Sequence, residues 1–190
     1  AGAPALLMTR LSGAVEWRPA DLEGHLRALA ALLPEIHAVP LPSDPAVEPY
    51  RPYALELSDP PPWATRPDVW RRAFAVFDRP VPADATCFIH RDYHPGNVLW
   101  SGGAVSGVVD WALAAIGAPD ADVGHCRMNL ARALGMGAAD RFLALHRRAT
   151  GRGRYDPYWD VVAALGGFEP AEIERWAGAE EFLARAVAER

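Results

Sequence analysis

Leu22, Leu26, Leu29, Leu33 and Ile36 recur at helical spacing and predict an amphipathic helix over Pro19 to Leu33. Pro19 suits its first turn, and Asp21 and Glu23 suit the positive end of its dipole. Pro34 interrupts the pattern and marks a kink or the helix end. A second apolar face, Val69, Ala73, Phe74, Val76 and Phe77, predicts a helix over Arg66 to Phe77. Between them, Leu41 to Pro62 is rich in Pro, Ser and Asp and closes on Pro60-Pro61-Pro62. It reads as a surface loop of a length that is often functional. Ahead of the first helix, the apolar hexamer Pro4 to Thr9 predicts a short strand.

The middle of the chain changes character. Thr86 to Ile89 is a short apolar run that reads as a buried strand, and His90 to Asn97 is a polar loop. Val98 to Ser101 and Ala104 to Val109 then predict a hairpin across Gly102-Gly103, a turn that tolerates positive φ. Beyond it, helices are predicted over Pro119 to Leu134, Ala138 to Ala149, Tyr158 to Leu165, Pro170 to Trp176 and Glu180 to Ala188, separated by glycines. The fold class is therefore α+β and mostly α, with a small β-hairpin beside the polar loop. There is no internal repeat.

The hairpin folds Asp110 back toward Asn97, so Asp92, Asn97 and Asp110 are expected to converge at one end of a small sheet. Two carboxylates and an amide oxygen provide hard oxygen ligands for Mg²⁺ and one proton acceptor, which is what phosphoryl transfer requires. The string His90-Arg91-Asp92-Tyr93-His94-Pro95-Gly96-Asn97 fits the kinase catalytic-loop pattern H-R-D-x-x-x-x-N. On that pattern Asp92 is the base, and Asn97 and Asp110 hold metal.

His90 through Trp100, then Val108-Val109-Asp110-Trp111, then Gly117, Pro119 and Asp122, together resemble the aminoglycoside phosphotransferase and choline kinase-like family. The resemblance covers nearly all of this chain but only the C-terminal half of a family member. It implies the C-terminal lobe of a protein-kinase-like fold, ATP or GTP as phosphoryl donor with Mg²⁺, and a small-molecule hydroxyl as acceptor. It also implies that residues 1–18 are a hinge strand and the start of the lobe, with Met8, Thr9, Arg10 and Leu11 contacting adenine, and that 19–190 form the helical lobe. The family's N-terminal lobe, with its phosphate-covering loop and lysine, has no counterpart in this sequence, and the isolated chain is expected to be inactive. His90 and His94 are supporting residues, His90 through hydrogen bonds to the loop backbone and His94 lining the site or packing beneath it. Asp122 is expected to cap its helix and tie down the loop, and Arg91 to point outward.

Composition narrows the alternatives. A net charge of −5 excludes a general nucleic-acid binder. No apolar run approaches a membrane span, and there is no signal peptide, so a cytoplasmic protein is expected. Cys87 and Cys126 lie in apolar contexts and read as buried thiols. All 19 basic residues other than histidine are arginine.

Three rival readings fit parts of the sequence. His90, Asp92 and His94 also form an H-x-D-x-H triplet of the kind that binds a transition metal in hydrolases, but no further metal motif surrounds His125 or His146. A protein kinase needs an activation loop, and Ala112 to Ala118 leaves no room for one. A stand-alone domain that binds nucleotide or ligand without catalysis is the third. Asp156, Asp160, Glu169, Glu172, Glu174, Glu180 and Glu181 cluster in the C-terminal helices and would suit a cationic acceptor, though acidic residues on helices are usually solvated.

Overall fold

A computed structural model describes residues 9–41, 47–52, 55, 57–82, 85–166 and 176–188. The expected strand over Pro4 to Thr9 and helix over Pro170 to Trp176 lie outside these residues, apart from Thr9 and Trp176.

Helices make the body, as the apolar periodicity predicts. They are α1 (Leu22–His37), α2 (Pro67–Phe77), α3 (Asp120–Leu134), α4 (Met136–Thr150), α5 (Tyr158–Gly166) and α6 (Ala179–Ala188). Central α3 is buried from Asp120 to Ala131 and packs against α4 and α5. α1 lies on α4, and α6 covers α2 and α5. Leu26, Leu29, Leu33, Trp70, Met128, Phe142 and Trp159 are among the fully buried side chains of the shared core. Burying each contributes roughly 1.5–3 kcal/mol. Gly124 lets α3 and α5 touch: a Cβ there would sit 2.6 Å from the Trp159 carbonyl oxygen.

α1 runs through Pro34 to His37, so Pro34 does not end it. A proline inside a helix leaves the carbonyl four residues earlier without its N–H donor. Here that carbonyl is Ala30, and His146 Nδ1 on α4 lies 3.3 Å from it. The interhelical bond supplies what the proline removed. The N-terminal end is closed by Asp21, whose carboxylate accepts from the Gly24 N–H at 2.9 Å.

The strands form two small sheets. β3 (Val98–Ser101) and β4 (Ala104–Val108) make the expected hairpin, with Gly102 and Gly103 at φ 59° and 79°, as a two-residue turn of this hand needs. β1 (Ala14–Val15) adds to its outer edge, pairing antiparallel with β3. β2 (Cys87–Ile89) does not join this sheet; it pairs antiparallel with β5 (Ala115–Gly117). Residues 48–50 run along the other side of β5, exchanging backbone bonds through Glu48, Tyr50 and Ile116. The polar loop thus leaves one sheet, and the hairpin that follows it belongs to the other.

Candidate active site

The loop after β2 is held by two of its residues. His90 and Tyr93 point inward and are fully buried. The Tyr93 hydroxyl donates to the Leu29 carbonyl of α1 at 2.9 Å. His90 Nδ1 accepts the Asp92 N–H at 3.3 Å, which leaves its proton on Nε2, and Nε2 donates to the Val109 carbonyl at 2.9 Å. The Val109 N–H in turn donates to the Asn97 carbonyl at 2.9 Å. Val109 is therefore tied on both sides, and Asp110 follows it directly. Asp110 is exposed and takes a left-handed conformation, φ 63°, just past the end of β4.

Asp122 works differently from a helix cap. Pro119 is the N-cap of α3 and makes no side-chain cap bond. The fully buried Asp122 carboxylate instead accepts the backbone N–H groups of His90 at 2.9 Å and Arg91 at 2.6 Å. His37 Nε2, at the end of α1, is 2.9 Å from the same carboxylate. This grip holds Arg91 at φ 70°, where a non-glycine residue is strained. The Arg91 side chain folds back rather than pointing outward: it donates to the Arg51 carbonyl at 2.8 Å and lies over the Tyr50 ring.

Asp92 and Asn97 meet. Asn97 Nδ2 donates to the Asp92 carbonyl at 2.8 Å and to its Oδ2 at 3.0 Å. Both partners are acceptors, so the amide nitrogen faces Asp92 and the amide oxygen remains for a ligand. The other carboxylate oxygen, Oδ1, lies 2.9 Å from His125 Nε2 and 3.5 Å from His94 Nε2. Burial alone would raise the Asp92 pKa, but these contacts, His125 foremost, hold it below the ordinary aspartate value. Burial pushes the His94 imidazole down to about 4 against the pull of Asp92, so His94 is neutral near pH 7. The charge of Asp110 also acts on His94, which places that carboxylate within electrostatic reach. Trp17 stacks on the His94 ring at 5.5 Å.

Asp92, His94 and His125 bring ligand atoms within 4.8 Å of one another. The tautomer of His94 argues against a transition metal there. Its Nδ1 accepts the Gly96 N–H at 2.9 Å, so the neutral ring carries its proton on Nε2, the atom that faces Asp92. A metal ligand needs that nitrogen bare.

His125 had no recognisable motif in the sequence. One signal was available: it lies three residues after Asp122, one turn along the same helix face, and so confronts the same loop. Of the residues expected to contact adenine, Met8 lies outside the described residues. Thr9, Arg10 and Leu11 are exposed and form no strand. Leu11 covers Gly107 on β4, where a Cβ would come within 2.6 Å of its Cδ1. A hollow of about 390 Å³ opens next to Trp111, lined by Glu48, Arg91, Leu113 and neighbouring residues.

The C-terminal acidic residues do not gather into a pocket among the described residues. Asp160 is buried against Arg127 and Tyr155, Glu180 accepts from Thr65, Arg66 and Trp70, and Glu181 pairs with Arg185. Glu169, Glu172 and Glu174 lie outside the described residues.

A mostly helical body, a polar loop carrying Asp92 and Asn97, and a hairpin returning Asp110 to it define a kinase-like phosphotransferase fold. The model of the phosphotransferase enzyme family APH matches residues 1–165, and the chain belongs to that family. No curated protein matches the sequence significantly. Among solved structures, the macrolide 2′-phosphotransferase MphH of Brachybacterium faecium is similar at 17% identity and TM-score 0.54, over 94% of this chain and 68% of that one. A thermostable mutant of aminoglycoside phosphotransferase APH(4)-Ia, in ternary complex with AMP-PNP and hygromycin B, is similar at 16% identity and TM-score 0.63, over 94% and 70%. A macrolide 2′-phosphotransferase type I shares 22% identity at TM-score 0.52, over 96% and 67%. At these identities the likeness is one of fold. No helix among the described residues is long and apolar enough to cross a membrane.

Proposed function

We propose that this protein is part of an ATP- or GTP-dependent phosphotransferase that acts, with Mg²⁺, on a hydroxyl of a small molecule in the cytoplasm. The observation that carries this reading is the Asn97 amide. Its nitrogen is committed to Asp92, which leaves the amide oxygen for a ligand, and the Val109 N–H bond to the Asn97 carbonyl ties Asn97 to the residue before Asp110. An amide oxygen and a carboxylate fit Mg²⁺, and Asn97 Oδ1 and Asp110 would hold it. When bound, that ion supplies charge neutralisation at the nucleotide phosphates.

The chain's own groups then have distinct tasks. Asp92, ionised well below neutral pH, orients the acceptor hydroxyl and takes its proton. The hydroxyl oxygen forms its bond to the γ-phosphorus as the bond from that phosphorus to the bridging oxygen breaks. The nucleoside diphosphate leaves with that electron pair, and Asp92 later releases its proton to solvent. Asp122, His90 and Tyr93 hold the loop so that this geometry exists before the acceptor arrives. Met8 to Leu11 would contact the nucleotide base, an assignment that rests on the family resemblance.

The hydrolase reading loses ground to the His94 tautomer. The binding-domain reading predicts nucleotide affinity without turnover. Incubating the full-length protein with ATP or GTP, Mg²⁺ and a panel of macrolides, aminoglycosides and amino-alcohols, followed by ³¹P NMR, separates them. A new phosphomonoester supports the proposal; nucleotide binding with no product from any acceptor contradicts it.

A further inference from the structure

We infer that His125, assisted by His94, is a positioning residue for Asp92, and that the acceptor proton is taken by Asp92 Oδ2. The inference rests on the reading of Asp92 as the base. Its evidence is how the N–H donors divide between the two carboxylate oxygens. Oδ1 receives His125 Nε2 at 2.9 Å and has His94 Nε2 at 3.5 Å. Oδ2 receives Asn97 Nδ2 at 3.0 Å. A carboxylate oxygen accepts about two hydrogen bonds. Oδ1 thus faces His125 closely with the His94 ring beside it, while Oδ2, bonded only to the Asn97 amide, keeps a lone pair for the acceptor.

Both imidazoles are set up as donors. The Gly96 N–H occupies His94 Nδ1, which leaves Nε2, 3.5 Å from Asp92 Oδ1, as the nitrogen that can carry a proton toward it. His125 comes from α3, which is packed on two helices and cannot drift from the loop. Only a tenth of its side chain is exposed. The same helix already grips the loop backbone through Asp122, one turn earlier. α3 therefore holds the loop twice, once by its backbone and once by the carboxylate that does the chemistry. A ring at this position stops the carboxylate from rotating Oδ1 toward the acceptor. Misplacing a reacting group by about 1 Å can cost on the order of 100-fold in rate.

The test compares full-length wild type, His125→Ala, His125→Gln and Asp92→Asn in the phosphoryl-transfer assay, with nucleotide affinity and melting temperature measured on each. His125→Ala is expected to lower kcat by roughly 10- to 100-fold, leaving the acceptor KM and nucleotide affinity within a few-fold. His125→Gln places an amide N–H near the imidazole Nε2 and should recover most of the loss. ¹⁵N NMR of the wild type, independent of any variant's folding, should show His94 and His125 protonated on Nε2. A kcat for His125→Ala within twofold of wild type, beside an inert Asp92→Asn, overturns the positioning role alone. So does a loss shared equally by kcat and stability that Gln fails to rescue, or an unprotonated Nε2 on His125. An active Asp92→Asn overturns the base assignment and the inference with it.

Discussion

His90 Nε2 donates to the Val109 carbonyl at 2.9 Å and couples the loop that carries Asp92 to the residue before Asp110. The proposed base and one proposed metal ligand are thereby set relative to each other by one buried imidazole. His90→Ala leaves the Val109 carbonyl and the Asp92 N–H without their partner and opens a small cavity. A loss of about 2–4 kcal/mol is expected in urea unfolding. Turnover should fall in the same variant under conditions where it remains folded, because Asp92 and Asp110 lose their common reference.

Asp110→Asn removes the proposed anionic ligand and should raise the Mg²⁺ concentration needed for half-maximal rate by roughly tenfold or more. Asn97→Ala should show a split effect. It removes a neutral ligand, so metal dependence shifts less, but it also frees Asp92 from two hydrogen bonds, so kcat falls further. Mg²⁺ titrations of both variants check this. Unchanged metal dependence in both would remove the hairpin from the site.

The described helices were legible because their apolar residues recur over several turns, and the polar loop because its residues stand at fixed offsets between two apolar runs. β1 and β5 were not. Two or three residues carry no periodicity, and Ala115-Ile116-Gly117 becomes a strand only because Cys87 to Ile89 and the segment around Glu48 lie on either side of it. Pro34 reads in sequence as a kink or a helix end because a helix alone cannot satisfy Ala30; the donor comes from His146, 116 residues later, and the helix continues. Asp122 is expected from sequence to cap its helix and tie down the loop; it ties down the loop through the His90 and Arg91 N–H groups but does not cap the helix, which only the tertiary fold shows. His125 is the same case at longer range.

His146 makes stability depend on pH. Burial lowers its imidazole pKa from 6.5 to about 4, so the folded value lies below the unfolded one. The unfolded chain then takes up the proton first, and stability falls as pH drops from about 6.5 toward 4. For a side chain this buried the effect reaches about 3 kcal/mol. Urea midpoints at pH 7 and pH 4.5 should separate more in wild type than in His146→Leu, which lacks this imidazole.

Arg127 and Asp160 form a buried pair, with Arg127 Nε at 3.0 Å and 3.3 Å from the two carboxylate oxygens and Nη1 donating to the Ala139 carbonyl at 3.0 Å. The Tyr155 hydroxyl donates to the same carboxylate at 2.6 Å. Arg127→Met strands the Asp160 charge and should cost about 3–5 kcal/mol. The double variant Arg127→Met, Asp160→Leu should recover much of that loss, since both charges leave together. Chemical denaturation of the three proteins measures it.

The base assignment is tested most directly by Asp92→Ala in the full-length enzyme, with kcat and nucleotide affinity measured on the same preparation. Asp92 touches the acceptor rather than the phosphates in this account, so nucleotide affinity should stay within about threefold while kcat falls by roughly 10²–10⁴. A variant that keeps more than about a tenth of the wild-type rate, against that expected loss, would contradict the role given to Asp92.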